Sequence, residues 1–139
     1  MTFEEAQRVV QAFMNSFKQP SEGLNAQGFG GAVIGDGQLY FEYHGKTQRL
    51  ETSALIHKFR DAPKPGVLEG FQAEEKAGTP TGGGAVDYEV ENKSLFLSRY
   101  YEQVPPQEAF QEDMKKLLAA SAVWSDEVLD RVATRVFGK

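Results

Sequence analysis

Residues 94–101 read SLFLSRYY, and this pattern constrains the chain more than any other segment. A strand points successive side chains to opposite faces. Leu95 and Leu97 then share one face, while Phe96 and Tyr100 share the other. A sheet with one wet face carries polar residues on that side. Apolar residues on both faces require a second cover, from a helix, a second subunit or a ligand.

The segment just before it, TPTGGGAVDYEVENK, places three glycines ahead of a run of alternating residues. A phosphate-binding loop needs Gly-x-x-x-x-Gly-Lys-Ser/Thr and a following helix, so that backbone amides and a helix N-terminus meet the phosphates. No Lys-Ser or Lys-Thr follows these glycines. Ala85 to Val90 alternates with period two, which predicts a strand. Glu91-Asn92-Lys93 forms a turn, and Ser94 to Tyr101 returns as the second arm. The glycines are therefore read as a flexible lead into a hairpin. Asp87, Glu89 and Glu91 fall on one face; this arrangement fits a solvated face that discourages edge pairing better than an acid–base pair.

The remaining segments can be placed around that hairpin. Thr2 and Glu5 form a capping-box pattern, and Phe3, Ala6, Val10, Phe13, Met14 and Phe17 follow at helical spacing; Pro20, Ser21 and Gly23 end this helix. Asp36-Gly37 separates two β-rich runs and suits a tight hairpin turn. Leu39, Phe41 and Tyr43 share one strand face, and Tyr40, Glu42 and His44 the other. A turn near Gly45-Lys46 leads to a third strand in TQRLETSALIHKF, completing a meander. RDAPKPG is a linker. VLEGFQAEEKAG makes a short helix on Val67, Leu68 and Phe71, with Gly70 inside it at a cost of about 1 kcal/mol relative to alanine. Val104-Pro105-Pro106 ends the last strand and opens a helical region in which Phe110, Met114, Leu117, Ala120, Trp124 and Val128 recur at steps of three and four, with Leu129, Val132 and Val136 extending the stripe. Ser125-Asp126-Glu127 resembles a fresh N-terminus, so this region is read as two helices meeting near Ala122 to Trp124. The order α-β-β-β-α-β-β-α predicts one α+β domain over 1–139, with a mostly antiparallel sheet packed by N- and C-terminal helices.

Composition narrows the function classes. The 139 residues carry a formal net charge of −5, and nucleic-acid binding needs clustered Lys and Arg to neutralise phosphates. No segment approaches the ~18 apolar residues of a membrane helix, and the N-terminus lacks the basic and apolar regions of a signal peptide. The absence of cysteine removes disulfides, thiolate zinc sites and a cysteine nucleophile, and fits a cytoplasmic setting.

Catalytic signals are sparse. His44 and His57 are the two histidines, and neither stands in a His-Glu-x-x-His spacing. They read as strand-edge or surface residues, with a lone base or ligand as the alternative. No Gly-x-Ser-x-Gly elbow or serine triad is visible. Nothing calls for a cofactor or a metal. Lys46, Arg49, Lys58, Arg60 and Lys64 outnumber Glu51 and Asp61 between residues 44 and 64, which reads as ordinary solvation, with a docking patch for an acidic partner as the sharper alternative.

The order of elements, the size and the acidity together resemble the type III secretion chaperones, small acidic effector chaperones of the Tir chaperone type. The likeness is concentrated in TPTGGGAVDYEVENKSLFLSRYYEQV, similar to that family's Gly-rich entry to a β-hairpin, and in PPQEAFQEDMKKLLAASAVWSDEVL, which resembles its C-terminal helix. The resemblance implies a non-enzymatic, cytoplasmic, homodimeric protein that holds an extended segment of a client on apolar patches, by strand addition and side-chain pockets. Tyr40, Phe96 and Tyr100 are the candidate partner-binding residues. One departure is the short, polar VLEGFQAEEKAG, where family members carry an apolar second helix that helps build the dimer. Two alternatives stay open: a small-ligand-binding or enzymatic α+β domain, and an orphan relative that binds a folded regulatory partner.

Overall fold

The computed structural model describes residues 1–17 and 23–138. Helix α1 spans Phe3–Ser16 and opens with the expected capping box: Glu5 N–H donates to Thr2 Oγ1 at 3.1 Å, and Thr2 N–H donates to Glu5 Oε1 at 2.8 Å. The predicted helix stop at Pro20 and Ser21 lies outside the described residues. Strands β1 (Phe29–Ile34), β2 (Gly37–His44) and β3 (Arg49–Lys58) form the antiparallel meander. Helix α2 (Val67–Lys76) follows, then the hairpin of β4 (Ala85–Glu89) and β5 (Ser94–Tyr101). Spatially the sheet runs β1-β2-β3-β5-β4, so β5 pairs with β3 and leaves β4 at an edge. This is the expected α+β architecture with an antiparallel sheet.

Three local expectations are corrected. The first hairpin turns at Gly35-Asp36, one residue earlier than expected, because Ile34 pairs directly with Gly37. Gly35 adopts φ +59°, and a positive φ at the first central residue suits glycine there. Strand β4 stops at Glu89, so Glu91 belongs to the turn and not to the acidic strand face. In the C-terminal region α3 (Gln107–Val123) passes through a π-helical turn, Trp124–Val128, into α4 (Leu129–Phe137). The backbone remains right-handed helical at Val123, Trp124, Val128 and Leu129. Ser125 caps nothing; its hydroxyl donates to the Ala122 carbonyl at 3.0 Å. The π turn keeps Trp124, Val128 and Val132 buried on one side.

The helices build one core on one face of the sheet. Phe13, Phe41 and Phe110 meet there, with the Phe13 ring 5.7 Å from Phe110 and 6.0 Å from Phe41. Leu39, Leu50, Leu95 and Leu97 supply the sheet side and are fully buried. Glu74 of α2 is tied to α4: Arg131 donates from Nη2 at 2.8 Å and Nε at 3.2 Å, and Arg135 lies 3.5 Å away. Burial would raise the Glu74 pKa, but the Arg131 hydrogen bonds outweigh it and hold the carboxyl below its usual range.

The glycine run is a close-packed crossing and not a slack connection. A Cβ on Gly82 would lie 2.4 Å from the Lys116 carbonyl oxygen, and one on Gly84 2.9 Å from Leu117 Cδ1. Trp124 Nε1 donates to the Pro80 carbonyl at 2.8 Å and fastens the segment to the helix below. The glycines let the chain lie against α3 before it enters β4.

Candidate functional site on the open sheet face

The sheet face opposite the helices has no described helix over it. Strand alternation places Tyr40 and Glu42 of β2, Glu51, Ser53 and Leu55 of β3, and Phe96, Ser98 and Tyr100 of β5 on this side, while their neighbours enter the core. Phe29 and Val33 on β1 project here as well and are 50% and 61% exposed. A concavity of about 570 Å³ is cupped around the central strand, with walls from both sides of the sheet: Phe29, Tyr40 and Glu42 on one, Phe96, Asp87 and Glu89 on the other. Thus the second apolar face of SLFLSRYY is real, and nothing described within the chain fills it.

The three candidate residues occupy this face at two stations. Tyr40 and Phe96 meet edge to face, with ring centroids 5.7 Å apart, in a favourable aromatic geometry. The Tyr40 hydroxyl donates to Gln38 Oε1 at 2.6 Å, so its polar end is satisfied while its ring stays exposed. Tyr100 lies four residues along β5, about 13 Å away at the strand rise. Its ring carries the Arg49 guanidinium at 4.5 Å and lies 6.1 Å from the His44 ring. Burial, followed by the charge and hydrogen bond of Glu51, pushes the Tyr100 phenol up.

Several polar members of the site were not visible as a group in the sequence. Glu42 and Glu51 are direct cross-strand partners. His44 sits between them, with Nε2 2.8 Å from Glu51 Oε1 and Nδ1 3.7 Å from Glu42 Oε2. The ligand atoms of these three residues lie within 4.8 Å of one another, a spacing that could hold a metal ion. Ser53 and Ser98 hydroxyls bond across the centre at 2.9 Å. Asp87 is held above the usual carboxylate range, first by burial and then by the charge of Glu51, against the help of a Ser98 hydrogen bond. The signal that could have grouped these residues is the hairpin register, which sets Glu42 opposite Glu51 once the turn is fixed.

His57 does not join them. It lies near the far end of β3 and packs its ring edge-on against Phe59, with centroids 4.7 Å apart. The basic stretch is also divided: Arg49 and Lys58 stand at opposite ends of β3, about 30 Å apart at the strand rise.

Compared with protein-family models and with curated proteins, the sequence matches none. Solved structures do match in shape. A chain of the ExsC–ExsE complex superposes with a TM-score of 0.70 at 13% identity, covering 88% of this chain and 92% of that one. The fold is that of the type III secretion chaperones. A chain of the HopA1–SchA chaperone–effector complex gives a TM-score of 0.66 at 13% identity, over 89% of this chain and 95% of that one. A chain of the ExoT–SpcS complex from Pseudomonas aeruginosa gives 0.55 at 11% identity, over 86% and 95%. At such identities the likeness is one of fold, as the α-β-β-β-α-β-β-α order implied.

Proposed function

We propose that this chain is a non-enzymatic, cytoplasmic partner-binding protein, working as one domain over 1–139, that holds an extended segment of a client on its open sheet face. The observation that carries this reading is the Tyr40–Phe96 pair, Tyr40 exposed and Phe96 half-buried, beside a concavity of about 570 Å³. Covering the aromatic surface that these two side chains leave accessible favours a partner by about 25 cal/mol per Å². The similarity in fold to chains found in a chaperone–effector complex supports the same reading. Tyr100, with Arg49 stacked on it, is a second point of contact.

The test begins with tagged protein captured with its partner from native extract, followed by limited proteolysis. A protected segment of an otherwise digested partner is expected. That segment, made separately, should bind the parent protein and lose about tenfold or more affinity against Phe96→Ala or Tyr40→Ala. Light scattering on the same samples decides between monomer and homodimer. A partner that stays folded and intact would instead favour a regulatory assembly. A second reading, small-ligand binding or catalysis, is favoured by the His44–Glu51 contact at 2.8 Å; ligand binding left intact by alanine at both His44 and His57 would sink its enzymatic version.

A further inference from the structure

The open face is acidic as well as aromatic. Glu42, Glu51, Asp87 and Glu89 all line the concavity, and among the described residues Lys58 is the one cation that lines it with them. These carboxylates come from three strands, brought to one space by the β2-β3-β5-β4 order. Glu51 and Asp87 sense each other across β5, since the charge of Glu51, after burial, raises the Asp87 pKa. Like charges gathered over a half-buried concavity favour an occupant that brings the opposite sign.

We propose, resting on the reading that this face holds a client, that the client segment is both cationic and apolar, placing a lysine or arginine among these carboxylates and an aliphatic or aromatic side chain against Tyr40 and Phe96. The register supports this pairing of chemistries. Asp87 is the direct cross-strand neighbour of Phe96, so an acidic and an aromatic contact lie about 5 Å apart. Alternate residues of an extended peptide share a face at about 6.5–7 Å, within reach of both contacts through a long basic side chain. An acidic segment is disfavoured at this face by the same field.

The test uses the full chain and three synthetic peptides with identical Leu and Val positions, whose alternate polar positions are Lys/Arg, Gln or Glu. Binding is followed by fluorescence anisotropy at low and high salt. The cationic peptide should bind about tenfold or more tighter than the Gln peptide at low salt, and high salt should erase much of that margin. The combined substitution Glu42→Gln, Asp87→Asn, Glu89→Gln should remove the preference while circular dichroism remains that of the parent and the melting temperature does not fall below it. Equal binding of the cationic and Gln peptides to the unaltered protein, without salt dependence, overturns the charge inference and leaves the client reading standing. Failure of all three peptides to bind, together with no loss of the captured client segment against Phe96→Ala, overturns both.

Discussion

Substituting Gly70 with alanine is expected to destabilise the protein, although alanine is the better helix former by about 1 kcal/mol. The reason lies across the α2–α4 contact. A Cβ on Gly70 would stand 2.8 Å from Val132 Cγ1 and 3.5 Å from Cγ2. Val132 is 1% exposed, and a β-branched side chain in a helix is held near one rotamer, so it has little room to withdraw. Forcing a methyl into such a contact costs about 1–3 kcal/mol. Offset against the propensity gain, the net loss is about 1 kcal/mol, or about 3–5 °C in Tm for a chain of this size. Urea unfolding measured by tryptophan fluorescence suits the assay, because Trp124 is fully buried and stacks on Phe71 of α2 at 6.3 Å. In a Val132→Ala background the obstructing Cγ atoms are gone, and Gly70→Ala should then stabilise by up to about 1 kcal/mol. A stabilising effect of that size in the parent, or strict additivity with Val132→Ala, would refute the close approach of these helices.

Two further outcomes are expected. Gly78 and Gly82 both have positive φ, +95° and +67°, but only Gly82 is crowded, by the Lys116 carbonyl; Gly78→Ala should cost about 1–2 kcal/mol, and Gly82→Ala about 1–3 kcal/mol more, in the same unfolding assay. In pH-dependent melting, Glu74 and Asp87 should act oppositely. Glu74 has a lowered folded pKa, so its contribution is present above the unfolded carboxylate pKa and lost as pH falls through the folded value; Glu74→Gln should flatten that acid-side loss. Asp87 has a raised folded pKa, so stability falls as pH rises through the carboxylate range, and Asp87→Asn should stabilise at neutral pH with a gain that vanishes in acid.

Much of the architecture could be read from the chain because period and punctuation agreed with each other. Thr2 and Glu5 marked a helix start that the structure realises bond for bond, and SLFLSRYY announced a face that no described element of the chain covers. What escaped reading depends on contacts between distant segments. Gly70 looked like a flaw in a short polar helix, yet a Cβ there would press on Val132 of α4. The glycine run looked slack, but its φ values and missing side chains serve a crossing over α3. Ser125-Asp126-Glu127 carried the local signature of a helix start, and burial of Trp124 and Val128 overrode it. The acidic site depends on strand order and register, since β5 lies between Asp87 and Glu51, and neither quantity is local.

The two borders of the sheet are unlike, and this limits how it can grow. The β4 border carries Asp87 and Glu89 within five residues, whereas β1, FGGAVI, has no charged residue in its six. Charge on a border strand discourages pairing with another chain, and an uncharged border invites it. If two copies join through β1 about a two-fold axis, the union consumes both permissive borders at once. What remains outside is a pair of β4 borders of like charge. In such a pair extension of the sheet would stop at two copies, since the borders left outside carry like charge and would not pair into a fibre.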